Sequence, residues 1–416
     1  MRDTLVIEGG NRVEGTVRVS GAKNASLVII AASILAHGRT ELENVPRIKD
    51  VEVLLDILNH QGCLTEWTDD GTLAIEVPDN IIPESPYELS KKLRASNLLL
   101  GSLLGRKREA RISMPGGCDI GSRPMDLHLK GLQALGATVN LEHGYIEAAA
   151  GKLQGGRVYL DFPSVGATEN IMMLASVTPG TTIIDNAAKE PEIVDLANFL
   201  SAMGARIRGA GTDLIKIEGA SRLKAVRYAV IPDRIEAGTY MAAATVTGGD
   251  ILLENVIPTH LLPIKAKLEE TGAHITQDNG GIRVQGTGRI KAVDIKTLPY
   301  PGFPTDMQSQ MLAILTIAEG TSVIVENVFD NRFQVVDELK RMGAKIKVEG
   351  HTAVVEGVKE LHGARVKATD LRAGAALVLA ALVARGQTVI ENAYYIFRGY
   401  EDIERKLTSI GVKLIN

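Results

Sequence analysis

Cys118 lies in the stretch Met114-Pro115-Gly116-Gly117-Cys118-Asp119-Ile120-Gly121-Ser122-Arg123-Pro124. Flanking glycines predict a mobile loop, and a nearby Arg123 would lower the thiol pKa, favouring a nucleophilic or acid–base sulfur over an inert buried one. The second cysteine, Cys63, follows Gly62 where four other copies of the same signature carry alanine, so it reads as a small core residue. Asp306, in Phe303-Pro304-Thr305-Asp306-Met307-Gln308, and Asp370, in Thr369-Asp370-Leu371-Arg372, each open an apolar segment. Such a carboxylate either caps a helix or serves as a general base. Cations gather at similar points. Lys23 (followed by Asn24), Arg94, Arg234 and Arg372 stand where apolar helices begin, and Arg123, Arg332 and Arg398 lie in the loops before amphipathic ones. Helix N-termini attract anions because their first amides lack partners. Seven cations at such junctions point to a substrate with several negative charges, most simply phosphates and a carboxylate.

The elements that must position these residues recur six times. Each copy runs from an apolar helix through a β-branched strand and an amphipathic helix to a closing glycine. These glycines are Gly62, Gly136, Gly204, Gly272, Gly343 and Gly411, so successive intervals are 74, 68, 68, 71 and 68 residues. Units at such a period stack to build a core. Segments such as Ala373–Val383 are apolar nearly all round, which predicts buried helices. Buried helices favour two compact three-unit domains over a solenoid, which would leave a face of every unit wet. The chain crosses between them near Leu223 to Ile235. The expected fold is therefore α/β with three repeated βαβαββ-like units per domain: residues 21–231, carrying the Cys118 loop, and residues 1–20 plus 232–416. Thr4 to Val19 alternates like strands and belongs to no complete copy, so it is expected to complete the last unit's sheet.

Composition excludes several classes. With 416 residues and 45% apolar content the chain can build full cores, yet only 4% is aromatic. A net charge of −4, from 46 basic and 50 acidic residues, speaks against nucleic acid or a membrane surface as partner. No apolar run reaches the ~20 residues that span a bilayer, and the start lacks a signal peptide's pattern. A cytoplasmic protein is expected. The eight histidines show no ligand spacing, so no metal is expected. Gly116-x4-Gly121-Ser122 lacks the lysine of a phosphate-binding P-loop. No glycine-rich turn has the setting of a dinucleotide site.

Together, Ser20-Gly21-Ala22-Lys23-Asn24-Ala25, the Cys118 segment, Ser164-Val165-Gly166-Ala167-Thr168, Pro232-Asp233-Arg234-Ile235-Glu236, the Asp306 segment, Glu326-Asn327-Val328-Phe329 with Asn331-Arg332-Phe333, the Asp370 segment and Arg398-Gly399-Tyr400 resemble the enolpyruvyl transferases of peptidoglycan precursor synthesis. The resemblance covers essentially the whole chain. It implies an inside-out α/β barrel pair, or prism, with ligands in the cleft between two domains. It also implies transfer of the enolpyruvyl group of phosphoenolpyruvate to the 3′-hydroxyl of UDP-N-acetylglucosamine, through a tetrahedral intermediate, with release of phosphate and no cofactor. By the same likeness Cys118 protonates C3 or adds to C2, and Asp306 accepts the hydroxyl proton. Lys23, Arg123 and Arg398 hold phosphoenolpyruvate, with Asn24 the partner of Lys23. Arg94, Arg123, Pro124, Met125, Asp126, Leu127, Ser164, Val165, Asp306 and Val328 match the sugar-nucleotide site, while Arg332, Asp370 and Arg372 orient the constellation. Phe162, Tyr395 and Phe397 depart from residues often found in the family. Two rivals stand beside this reading: transfer to shikimate 3-phosphate, whose Gly-Asn-Ala-Gly-Thr motif the chain lacks, and a catalytically silent UDP-sugar binder.

Overall fold

The structure, a computed structural model, describes residues 3–114, 125–278 and 280–415. The chain folds as two compact units. Among the described residues, one unit comprises 21–114 and 125–231, and the other 3–20 and 232–415. Each has its own hydrophobic core.

The six opening helices are Lys23–Ser33, Leu99–Lys107 (entered through a 3-10 turn, Arg94–Leu98), Val165–Ala175, Arg234–Thr247, Gln308–Leu315 (entered through Thr305–Met307) and Leu371–Val383. Their apolar sequences bury nearly every position; in the last, all residues from Arg372 to Leu382 are buried. Small residues bring such helices close. Gly101 donates its amide to Asn170 Oδ1 at 2.7 Å, and a Cβ there would lie 2.4 Å from the Asn170 carbonyl oxygen. The amphipathic helices end on the six repeat glycines, all at positive φ between 89° and 123°, which glycine adopts without steric cost.

Each repeat builds one sheet around a central strand: Ala36–Glu43, Glu109–Ser113, Thr181–Asp185, Asp250–Glu254, Thr321–Val325 and Gln387–Glu391. A short strand handed on from the preceding repeat pairs parallel with it, and a hairpin pairs antiparallel on the other side. Thus Glu84–Ser85 joins the second sheet and Arg157–Tyr159 the third. Leu223–Lys224 and Arg227–Ala229 return to the first sheet, closing a ring of three. In the other unit Ile295–Lys296 and Arg365–Lys367 are handed on in the same way.

The N-terminus differs in part from expectation. Thr4–Glu8 pairs antiparallel with Gln387–Glu391 and Lys413–Leu414, completing the sixth sheet. Glu14–Arg18 instead pairs parallel with Asp250–Glu254 in the fourth. The first twenty residues are the displaced tail of the sixth repeat: one hairpin strand, then the strand that closes the second ring.

Candidate active site

The central strands end in an acidic residue followed by asparagine in five repeats: Glu43-Asn44, Asp185-Asn186, Glu254-Asn255, Glu326-Asn327 and Glu391-Asn392. Four of these asparagines take a left-handed φ of 54–57°. In each of the five the side-chain amide donates to a backbone carbonyl that ends or adjoins the neighbouring parallel strand, at 2.7–3.5 Å. The second repeat has Ser113-Met114 instead, and there the chain enters the Cys118 segment. Cys118, Arg123 and Pro124 lie outside the described residues.

In the unit of residues 21–231, Lys23 is the first residue of its helix, and its Nζ lies 2.6 Å from Asp50 Oδ2, both side chains largely buried. Asn24 beside it is exposed. Arg94 opens the 3-10 turn of the second repeat. Ser164 caps the third opening helix by accepting from the Ala167 amide at 3.3 Å, with Val165 the first helical residue. Met125 precedes the helix Asp126–Ala134, to which Asp126 and Leu127 belong. A buried polar network joins these starts. Asn170 Nδ2 lies 2.9 Å from His128 Nδ1 and donates to the Asn97 carbonyl at 3.1 Å, and Asn170 Oδ1 accepts from Gly101. Burial, with the charge of Arg94, pushes the His128 pKa down to about 4, so the ring is a neutral spacer near pH 7. His128 Cε1 would lie 2.9 Å from a Cβ at Gly166, so that glycine lets the Ser164-Val165 turn approach the helix that follows Met125.

In the other unit the two candidate carboxylates part ways. Asp370 caps the sixth opening helix, its Oδ1 accepting from the Arg372 and Ala373 amides at 2.8 and 3.0 Å. Asp306 caps nothing; it lies within the turn Thr305–Met307. Its Oδ1 accepts from Arg332 Nη2 at 2.6 Å and its Oδ2 from Arg372 Nη2 at 2.8 Å. The guanidiniums are 2% and 7% exposed and Asp306 26% exposed. Burial acts to raise the Asp306 pKa, but Arg372 and Arg332 outweigh it and hold the carboxyl far below the usual range. Arg332 Nε is buried with no hydrogen-bond acceptor among the described residues. Arg398 follows the short helix Tyr394–Phe397. Nearby Tyr400 is buried, its hydroxyl 2.8 Å from Thr239 Oγ1. Of the departures, Tyr395 and Phe397 pack on this unit's core, whereas Phe162, in the first unit, is exposed. Arg234 opens its helix but stacks on Tyr300, 5.7 Å from the ring centroid.

Glu326 is a positioning group that the sequence motif contains without marking its role. It is 1% exposed. Its Oε1 accepts from the Val328 amide and Thr297 Oγ1, both at 2.8 Å, and from the Phe329 amide at 3.2 Å; its Oε2 accepts from Thr305 Oγ1 at 2.9 Å. One carboxylate thus fixes both the Val328 turn and the residue before Asp306. The acidic–asparagine pattern was the available signal. Among the described residues, no three His, Cys, Asp or Glu side chains are grouped as metal ligands would be, and no helix is long and apolar enough to cross a membrane.

Residues 7–407 match the family model for EPSP synthase (3-phosphoshikimate 1-carboxyvinyltransferase). The chain belongs to the EPSP synthase family. Within it, the chain is 58% identical to UDP-N-acetylglucosamine 1-carboxyvinyltransferase 1 of Caldanaerobacter subterraneus subsp. tengcongensis, covering 100% of this chain and 99% of that protein. It is 54% identical to UDP-N-acetylglucosamine 1-carboxyvinyltransferase 2 of Carboxydothermus hydrogenoformans, covering 99% of each. The enolpyruvyl transferase NikO from Streptomyces tendae superposes with a TM-score of 0.88 at 27% identity, over 99% of this chain and 98% of that one. EPSP synthase from Acinetobacter baumannii, at 21% identity and a TM-score of 0.76, over 99% of each chain, shares the fold. The family resemblance and the α/β architecture expected from the sequence are both met.

Proposed function

We propose that this chain transfers the enolpyruvyl group of phosphoenolpyruvate to the 3′-hydroxyl of UDP-N-acetylglucosamine, the first committed step of peptidoglycan synthesis, in the cytoplasm. The observation that carries the chemistry is the carboxylate of Asp306 clamped between two buried guanidiniums, one of which keeps an Nε without an acceptor. The names of the relatives at 54–58% identity favour the UDP-sugar over shikimate 3-phosphate as acceptor.

The steps balance as an addition followed by an elimination. Asp306 takes the proton of the hydroxyl as its oxygen bonds to C2, and the Cys118 thiol supplies a proton to C3. The Cys118 thiolate then takes a proton back from C3, restoring the double bond as the C2–O bond to phosphate breaks, and the departing phosphate takes the proton held by Asp306. A carboxylate held by two arginines is a weak base. The phosphate and carboxylate of phosphoenolpyruvate compete for the same guanidiniums, and drawing one away raises the basicity of Asp306 when the substrate is bound. Fixed cations at Lys23, Arg123 and Arg398 meet the substrate's charge without reorganising. We assign Arg94, Arg123 to Leu127, Ser164, Val165, Asp306 and Val328 to the sugar nucleotide, Asn24 to partnering Lys23, and Arg332, Asp370 and Arg372 to orienting the constellation. Residues 21–231 and 1–20 with 232–416 are taken as the two domains.

A phosphate-release assay tests the reaction. Release with phosphoenolpyruvate and UDP-N-acetylglucosamine is expected; release only with shikimate 3-phosphate, or with neither acceptor, would overturn it.

A further inference from the structure

The three opening helices of residues 21–231 end at one place. Leu35 follows the first, Gly105 to Arg108 end the second and Val177 follows the third, and all of them line a cavity of about 340 Å³. No residue assigned above to the reaction lines it.

Its charge is unbalanced. Arg106, Lys107, Arg108 and Arg222 line it against one carboxylate, Asp79, which is 91% exposed. Lys107, Arg108 and Arg222 have no ion pair among the described residues. The Arg106 side chain is only 5% exposed; its Nη2 donates to the Pro78 carbonyl at 3.1 Å and lies 3.7 Å from Asp79 Oδ1, while its Nη1 is buried with no acceptor among the described residues. Buried guanidinium donors are normally satisfied. His37 also lines the cavity, its Nδ1 3.5 Å from Asp79 Oδ1. Burial, then Arg106 and Arg222, lower its pKa, and Asp79 opposes them.

Cations near helix C-termini can simply answer the negative end of the helix dipole. For Arg106 that role still leaves Nη1 without an acceptor among the described residues, its Nη2 donating to the loop carbonyl of Pro78. The other ring supplies a control. Arg12 precedes the strand that closes that ring, as Arg222 precedes the strand that closes this one, and Arg12 Nε donates to the Gly248 carbonyl at 2.8 Å. Arg222 makes no such bond among the described residues.

We propose that this cavity binds a small phosphorylated anion, its phosphate held by Arg106 and Arg222 and its remainder lying toward Leu35 and Val177. The cavity's size leaves room for a short carbon chain beside the phosphate. Two sources share that chemistry, free inorganic phosphate and a phosphate monoester, and both serve as probes.

The reporter is the His37 imidazole in the NMR spectrum of the full chain, assigned with a His37→Gln variant. Titration with inorganic phosphate or glycerol 3-phosphate, at constant ionic strength set by chloride, should shift the signal saturably and raise the His37 pKa by about one unit. Tighter binding of glycerol 3-phosphate would identify a monoester site, and equal or weaker binding a phosphate site. Arg106→Gln should weaken the response at least about tenfold. Arg222→Gln, at an exposed position where folding is safe, should weaken it severalfold. Turnover without added probe should stay unchanged in both variants. A His37 signal indifferent to both probes, moved equally by chloride, or moved equally in the Arg222→Gln variant would overturn the site.

Discussion

Asp306 and Arg372 stand 66 residues apart in the chain, yet Oδ2 of one accepts a hydrogen bond from Nη2 of the other at 2.8 Å. The two residues come from successive repeats. Arg332 holds the second oxygen, so the carboxylate is ionised and oriented before any substrate arrives.

Replacing Asp306 with Asn keeps the shape and removes the base. A fall in kcat of about 10²- to 10⁴-fold is expected, with a much smaller change in KM. Near-normal turnover would assign Asp306 to holding the arginines alone. Asp306→Ala should also cost about 3–5 kcal/mol of stability, because two buried guanidiniums lose their counter-ion; urea unfolding measures this.

Glu326→Ala removes the acceptor of two amides and two hydroxyls. The Val328 turn should loosen, raising KM for the sugar nucleotide severalfold more than it lowers kcat. Stability should fall by about 1–3 kcal/mol. Steady-state kinetics beside a denaturation curve separate the two effects, and an unchanged KM would deny Glu326 its positioning role.

Asp195 makes stability depend on pH. Its Oδ1 accepts from the Tyr228 hydroxyl at 2.6 Å and its Oδ2 from the Ile231 amide at 3.3 Å, but burial dominates and pushes its pKa up to about 6. The folded value lies above the unfolded one of 3.8, so the protonated form is favoured on folding. The resulting stability is fully present below pH 3.8 and is lost as pH rises through about 6, a change on the order of 3 kcal/mol. Relative to Asp195→Asn, the wild type should lose stability as pH rises across that window, read from denaturation midpoints; parallel curves would contradict the assignment.

Cys63 should resist thiol reagents, since burial pushes its pKa up to about 11. An electrophilic epoxide mimicking phosphoenolpyruvate should label Cys118 alone. Peptide mass spectrometry reads the site, and an adduct on Cys63 would refute the choice of nucleophile.

The repeats were legible because their signals are local. A glycine forced to positive φ and a helix apolar all round appear in any single copy, so all six opening helices and central strands fall where the pattern predicts them. Asp306 and Asp370 look alike in sequence, each a carboxylate before an apolar helix. What separates them is tertiary: Arg332 and Arg372 close on Asp306 from 26 and 66 residues away, and no spacing announces that. Asp50, His128 and Asn170 were illegible for the same reason, since a buried partner is recognised only once its surroundings exist. The acidic–asparagine pairs at the strand ends are local signals too, and they mark both Glu326 and the exceptional second repeat.

The sixth repeat is split between the two ends of the chain, and synthesis is directional. Residues 21–231 contain all three of their sheets and can close as soon as Ala229 has emerged from the ribosome. The strand Thr4–Glu8 pairs along its whole length with Gln387–Glu391 and at its end with Lys413–Leu414, both synthesised long after it. Until Gln387–Glu391 is made it remains an unpaired edge, exposed to wrong partners and to chaperones. Deleting that opening strand should therefore cripple the half of the protein that is translated at the end.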